Sequence, residues 1–370
     1  SGKDARRPAV ELEGCLSLGS VVCCVRFSPD GSRLATGSHG CVKVFDVATG
    51  CSPAPPSPPP LVPLPPPKDP YVRSVCMSPD GERVAAVMEN NSARVLSLME
   101  DGPAPLDLVG HQSEVYSLDW VGALIATGSG DCQVRVWDSN SGACRMVLGD
   151  SRGPTDGVTC VAFRPDGSLI AAASIDTTVH VWATADGGLL YRLDSHTESV
   201  YSVAFSADGA QLVSGGLDRT IQVWRLGRGA PPAQPPVPVA LSGHQDYVLS
   251  VCCSDDGRYI ISGSKDSTVV MWDTAVQRRA VVLAGFQNSI IGVGTCPNQR
   301  LFATGGGDKV VCLWRYTEAE DREAQPQQQQ VRQVGSLRSG SCLLKFAVDK
   351  SSRTVEALLN FAGVFETHGA

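Results

Sequence analysis

Three stretches of this chain place a histidine, a hydroxyl, an aspartate and a tryptophan at matched spacing. They are His111, Thr127, Asp131 and Trp137; His196, Ser214, Asp218 and Trp224; and His244, Ser262, Asp266 and Trp272. Histidine and aspartate bind metals and move protons, so such sets first suggest a metal centre or carboxylates paired for acid–base work. Their spacing argues otherwise. A metal needs convergent ligands with supporting groups behind them, and the other histidines, His39, His180 and His368, are scattered. The aspartate returns at one fixed place in unit after unit, which marks a structural position. The 14 cysteines form no CxxC pairs at metal-ligand spacing. Cys23-Cys24, Cys76, Cys160 and Cys252-Cys253 sit in apolar runs, where a thiol behaves as a small hydrophobe. Gly305-Gly306-Gly307 lacks the Lys-Ser/Thr of a phosphate loop. The expectation is no catalytic residue, no metal and no cofactor.

The elements that carry these residues repeat. Asp131/Trp137, Asp176/Trp182, Asp218/Trp224, Asp266/Trp272 and Asp308/Trp314 share a six-residue offset, and Phe45 and Leu96 hold the Trp place in two earlier units. From Phe45 to Trp314 the successive spacings are 51, 41, 45, 42, 48 and 42. In residues 199–226, Val200, Ser202 and Ala204 alternate with Tyr201, Val203 and Phe205, the period-two pattern of a strand. Ser-Pro-Asp-Gly at 28–31 and 78–81, with variants at 165–167 and 206–209, supplies hairpin turns. Units of about 40–45 residues with four strands each define WD40 blades. The sequence therefore predicts an all-β, seven-bladed WD40 β-propeller over 11–316, with Glu11–Leu18 as the outer strand of the last blade. Ring closure leaves only short, protected sheet edges.

In WD40 blades the His, Ser/Thr, Asp and Trp form one buried hydrogen-bond chain, whose members must come as a set to be satisfied. Blades 3, 5 and 6 have all four. Blade 7 has Phe286 at the His place, blade 4 has Pro154 there and Ala172 at the hydroxyl place, blade 1 has His39 where Asp is expected, and blade 2 has Asn90. Those blades should lean more on apolar packing, and blade 2 should be the least regular. Residues 51–67 hold ten prolines in seventeen positions, and 227–240 (GRGAPPAQPPVPVA) is a second Pro-rich insertion. Both read as extended loops between blades, and the first could also offer a polyproline segment to SH3 or WW domains. Residues 1–10 read as a flexible segment. Residues 317–370 read as a mostly disordered, low-complexity tail with Gln327–Gln330, in which 342–349 and 354–365 could form short structure.

Bulk properties fit this. Charged residues are 19% and hydrophobic residues 42%, a globular balance, and the net charge of −7 argues against direct nucleic-acid binding. No signal sequence and no membrane-length apolar run is present, so a soluble, reduced, intracellular protein is expected, away from membranes. The chain opens on Ser1 rather than Met, as a piece of a longer protein would.

What remains is surface. Aligning the first strands of the blades brings Cys23, Arg73, Tyr116, Thr159, Tyr201, Leu249 and Ile291 to the mouth of the central channel. Tyrosine is a favoured interface anchor, and this ring would suit a short apolar peptide. Here the chain resembles a known family. VVCCVRFSPDGSRLATG (21–37), YVRSVCMSPDG (71–81), EVYSLDW (114–120), DGVTCVAF (156–163), SVYSVAF (199–205), DYVLSV (246–251) and SGSKDSTVVMWD (262–273) are similar to the propeller of the Tup-type general transcriptional corepressors, relatives in role of the Groucho corepressors. The resemblance covers roughly 11–316. It implies a nuclear corepressor that does not touch DNA itself and is recruited by DNA-bound repressors through the mouth, at Cys23, Tyr116, Tyr201 and Leu249 with Arg73 beside them. It also implies a TPR-repeat adaptor and histones as partners, the adaptor held by an N-terminal helical segment that this sequence lacks. Competing readings are a substrate receptor of a ubiquitin ligase, a scaffold in RNA processing or signalling, and an enzyme, which would need convergent acids in the channel.

Overall fold

The computed structural model describes residues 8–48, 71–88, 91–227, 234–318, 342–348 and 355–361. The Pro-rich stretch 51–67, Asn90, the Gln run and part of the second Pro-rich stretch lie outside these residues.

Short alternating strands joined by Asp-Gly turns leave each sheet apolar on both faces, and a two-faced sheet must be covered twice. Seven such sheets in a ring cover one another. Blade 1 comprises β2 (Cys24–Phe27), β3 (Arg33–Ser38) and β4 (Cys41–Asp46), and blade 2 comprises β5 (Val72–Met77), β6 (Arg83–Met88), β7 (Ser92–Ser97) and β8 (Leu106–Val109). Blade 3 is β9 (Val115–Val121), β10 (Leu124–Ser129), β11 (Val134–Asp138) and β12 (Cys144–Leu148); blade 4 is β13 (Val158–Phe163), β14 (Leu169–Ser174), β15 (Thr178–Ala183) and β16 (Leu189–Asp194). Blade 5 is β17 (Val200–Phe205), β18 (Gln211–Gly216), β19 (Thr220–Arg225) and β20 (Val239–Ser242); blade 6 is β21 (Val248–Cys253), β22 (Tyr259–Ser264), β23 (Val269–Asp273) and β24 (Arg278–Ala284). Blade 7 is β25 (Ile290–Thr295), β26 (Leu301–Gly306) and β27 (Val310–Thr317), completed by β1 (Ala9–Ser17) from the other end of the chain. That strand runs antiparallel to β27 from Ala9↔Thr317 to Ser17↔Val310, fastening the ring where the sequence reading put an outer strand.

The core is the set of seams between neighbouring blades. Seven apolar clusters each unite residues of two adjacent blades, for example Leu169, Val181 and Leu193 of blade 4 with Val203, Leu212 and Trp224 of blade 5. Trp137, Trp224, Trp272 and Trp314 are fully buried in these seams. Each contributes on the order of 5 kcal/mol of transfer free energy before entropy is set against it. Seam geometry also dictates residue size: a Cβ on Gly215 would lie 2.6 Å from Val248 Cγ1, and one on Gly305 2.5 Å from Val22 Cγ1.

One local feature departs from the sequence reading. His39 does not take the Asp place of blade 1. Four residues separate the paired Gly37 and Val42, against five between Gly128 and Val134 of blade 3, so the turn is one residue short and the Asp position is deleted. His39 instead meets the ring of Tyr71 edge-on at 5.1 Å. In the tail, β28 (Cys342–Val348) and β29 (Val355–Phe361) form an antiparallel hairpin, and β29 joins β24 of blade 6 in parallel, from Val282↔Glu356 to Ala284↔Leu358.

Candidate functional site

The innermost strands of blades 2 to 7 begin with a fully buried Val or Ile, namely Val72, Val115, Val158, Val200, Val248 and Ile290, and in blade 1 the equivalent Val22 lies just ahead of β2. The residue after it is the one expected at the mouth. In blades 2 to 7 the ladder skips that residue: pairing passes from Val72 to Ser74, from Val115 to Ser117, from Val158 to Cys160, from Val200 to Ser202, from Val248 to Ser250 and from Ile290 to Gly292. A bulge frees one residue from the ladder and re-aims its side chain. Arg73, Tyr116, Thr159, Tyr201, Leu249 and Ile291 are these bulge residues, and Cys23 precedes β2 with its N–H on Gly37 O at 2.9 Å.

Tyr201 is the most open of the apolar members at 42% exposure; Arg73 is also exposed, and Cys23, Tyr116, Thr159, Leu249 and Ile291 are half-buried. Burial pushes the Tyr116 phenol up from its ordinary value, with Glu114 adding to the push, while Arg73 works against it. Arg73, Tyr116 and Tyr201 therefore share one electrostatic neighbourhood across blades 2, 3 and 5. Thr159 contributes less than its type suggests: its hydroxyl donates to Val200 O at 2.6 Å and to Ala173 O at 3.2 Å, so it faces the wall. Sequence reasoning missed Ile175, Leu217 and Lys265, which precede the repeated aspartates of blades 4, 5 and 6 on turns flanking the mouth. Ile175 Cδ1 and Tyr116 Cε2 both lie within 4 Å of where a Cβ of Gly157 would be, and Lys265 Nζ stands 4.7 Å over the ring of Tyr247. Their fixed place before each Asp was the available signal.

One residue further along the innermost strand, small polar side chains stitch blade to blade. Ser117 Oγ accepts the Val161 N–H at 3.1 Å, Ser202 Oγ the Val251 N–H at 3.0 Å, and Ser250 Oγ the Val293 N–H at 3.1 Å. Deeper in the channel, Arg26 of blade 1 reaches Asp119 of blade 3 at 3.3 Å, and Asp119 also accepts the Phe163 N–H at 2.8 Å. The Cys76 and Cys252 thiols nearby are pushed up to about 12, in both cases chiefly by burial. Protonated thiols are poor nucleophiles and ligands. No group of His, Cys, Asp and Glu among the described residues is arranged to hold a metal.

The His–Asp–hydroxyl sets have the connectivity of a nucleophilic triad. In blade 5 His196 joins Asp218 at 2.8 Å and Ser214 at 2.8 Å; blades 3 and 6 repeat this with His111 between Asp131 and Thr127 and His244 between Asp266 and Ser262. Each hydroxyl also takes the indole N–H of Trp137, Trp224 or Trp272 and is shut off from solvent. With no room for a substrate, these bonds hold loops to strands. Blade 4 reaches the same end differently: Thr155, beside Pro154, donates N–H and hydroxyl to Asp176 at 2.7 and 3.1 Å. A cavity of about 730 Å³ lies at the opposite end of blades 2 and 3, between Asp80, Glu82, Met99, Asp101 and Asn140. Its Arg83 is committed to Ser139 O and the Trp120 ring.

Comparison with known proteins matches six segments, 8–46, 105–138, 142–183, 187–225, 236–273 and 278–315, to the WD domain, G-beta repeat. Each runs from one blade's outer strand into the next blade, and the first three strands of blade 2 fall between matches. Protein groucho of Drosophila melanogaster is 28% identical over 182 residues, 48% of this chain and 24% of that protein. The F-box-like/WD repeat-containing protein TBL1X of Mus musculus is 33% identical over 134 residues, 32% of this chain and 25% of that protein. The chain thus spans about a quarter of the length of these relatives.

Proposed function

This chain belongs to the WD domain, G-beta repeat family, and we propose that it is the partner-binding platform of a transcriptional corepressor, engaging DNA-bound repressors through the channel mouth. The observation that carries this is the ring of bulge residues, Tyr116, Tyr201, Leu249 and Ile291, which the ladder skips, with Tyr201 exposed and the other three half-buried. Exposed apolar surface around a concave mouth is where peptides dock. The likeness to groucho and the Tup-type motifs supports the transcriptional setting, and with it a nuclear location, a TPR-repeat adaptor and histones as further partners.

The F-box-like part of the TBL1X name favours one second reading, a substrate-receptor propeller of a ubiquitin ligase. Affinity purification from nuclear extract, with wild type beside a Tyr116→Ala/Tyr201→Ala variant of unchanged fold, separates the two. Sequence-specific repressors that copurify with wild type and vanish with the variant uphold the corepressor reading. Ligase, ribosomal or splicing subunits in their place overturn it, and partners indifferent to the variant overturn the site.

A further inference from the structure

The turn between β26 and β27 is where the ring is fastened. Gly306 O accepts the Val22 N–H at 3.1 Å, Lys309 O accepts the Leu18 N–H at 2.9 Å, and Val310 pairs with Ser17. The N-terminal strand and the crossing into blade 1 therefore both hang on residues flanking Asp308.

Asp308 is the least supported of the repeated aspartates. Asp266 of blade 6 receives the His244 ring, the Gln245 N–H, and the N–H and hydroxyl of Thr268. In blade 7 Phe286 replaces the histidine and lies edge-on to Trp314 at 6.0 Å, and Val310 replaces the threonine. Asp308 Oδ1 keeps the Val310 N–H at 3.2 Å, while Oδ2 is buried with no hydrogen-bond partner. Among the described residues no counter-charge faces it: the loop packed on it presents Phe286, Gln287, Asn288 and Ser289, the incoming segment presents Leu18 to Val22, and Lys309 on its own turn is exposed. A buried carboxylate whose donors are only backbone N–H groups of its own turn is poorly solvated, and the neutral acid suits such a place better.

We propose that this turn is a proton-sensitive latch on the ring: Asp308 holds the seam between blade 7, β1 and blade 1 firmly as the neutral acid and loosens it on ionising. Burial moves the Asp308 carboxyl up from its ordinary value, opposite to Asp218 and Asp266, which their donors hold down. A group whose folded pKa is raised contributes stability at low pH and loses it as pH climbs from the ordinary carboxylate value through the raised one. The latch thus tightens on mild acidification, whereas the Asp218 and Asp266 networks do not.

Hydrogen exchange on the full chain between pH 4 and 8, corrected for intrinsic rates, reads this at the Leu18, Val22 and Lys309 amides. Their protection should fall with rising pH relative to the Thr197 and Gln245 amides, by about tenfold for each unit by which folding raises the carboxyl's pKa. Asp308→Asn should flatten that dependence at the protected level. Phe286→His, which rebuilds the missing donor, should flatten it as well and does not depend on the asparagine variant folding. Seam amides that follow the reference amides across the range overturn the proposal, as does a Phe286→His protein that keeps the wild-type pH dependence.

Discussion

Asp218→Asn tests whether the aspartate networks hold blades by charge as well as by shape. The Asp218 side chain accepts from the His196 ring at 2.8 Å, the Thr197 N–H at 3.1 Å, and the Thr220 N–H and hydroxyl at 3.0 and 2.8 Å. Burial alone would raise its carboxyl; the His196 and Thr220 donors outweigh burial and hold it at about 2, against an ordinary 3.8. Since one unit is about 1.4 kcal/mol, the charge contributes about 2 kcal/mol at pH 7. A lowered pKa makes that contribution complete above the ordinary carboxylate range and lost as pH falls toward the folded value, with roughly half gone by pH 3. Asparagine resembles the protonated acid, so the variant's deficit should be about 2 kcal/mol at pH 7 and roughly half that at pH 3. Urea denaturation followed by tryptophan fluorescence at pH 7, 5, 4 and 3 measures it. A deficit constant with pH would mean that only shape matters and would refute the reasoning, as would one below about 0.5 kcal/mol at pH 7.

Three further outcomes follow from the same geometry. Ser262→Ala strands the Trp272 indole N–H (2.8 Å) and a nitrogen of His244 (2.7 Å) inside blade 6, and should cost about 2–4 kcal/mol in denaturant titrations. Removing residues 1–18 deletes β1 and exposes β27, so the transition should broaden and the protein should self-associate in analytical ultracentrifugation. A thiol-reactive dye at neutral pH should label exposed Cys144 well before Cys76 and Cys252, which burial keeps protonated, with mass spectrometry locating the label.

The ring was legible because its signals recur. An Asp six residues before a Trp, five times over, sets the phase, Phe45 and Leu96 at the Trp place bring the blades to seven, and period-two alternation marks the strands. What did not recur could not be read. The Arg26–Asp119 pair joins residues 93 apart once only, and no repeat pattern announces it. The Thr155 N–H meets its aspartate as the Gln112, Thr197 and Gln245 N–H groups meet theirs, but its hydroxyl stands in for the missing histidine, a substitution visible only in three dimensions. The lost turn residue of blade 1 hid because spacing without gaps sets His39 in the Asp column. The tail hairpin joins blade 6 rather than blade 7, whose last strand it follows, and parallel pairing has no turn sequence to specify it.

The bulge leaves one residue of each such strand outside the ladder while its neighbours hold the seams. Along β17, Val200 is buried in the seam with blade 4, Tyr201 is skipped by the ladder, and Ser202 takes the Val251 N–H of blade 6. The first and third residues are constrained by packing and by a backbone donor that would otherwise go unpaired. The middle one is not, so its identity is free to follow a ligand. Substitution at Tyr201 should therefore change binding at little cost in stability, within about 0.5 kcal/mol, because no buried group loses a partner. Substitution of Ser202 by alanine should cost about 1–3 kcal/mol, because the Val251 N–H is left unbonded. Denaturation midpoints of the two single variants decide it: equal losses would mean that the mouth residues hold the propeller together, and that the apolar ring is wall rather than docking surface.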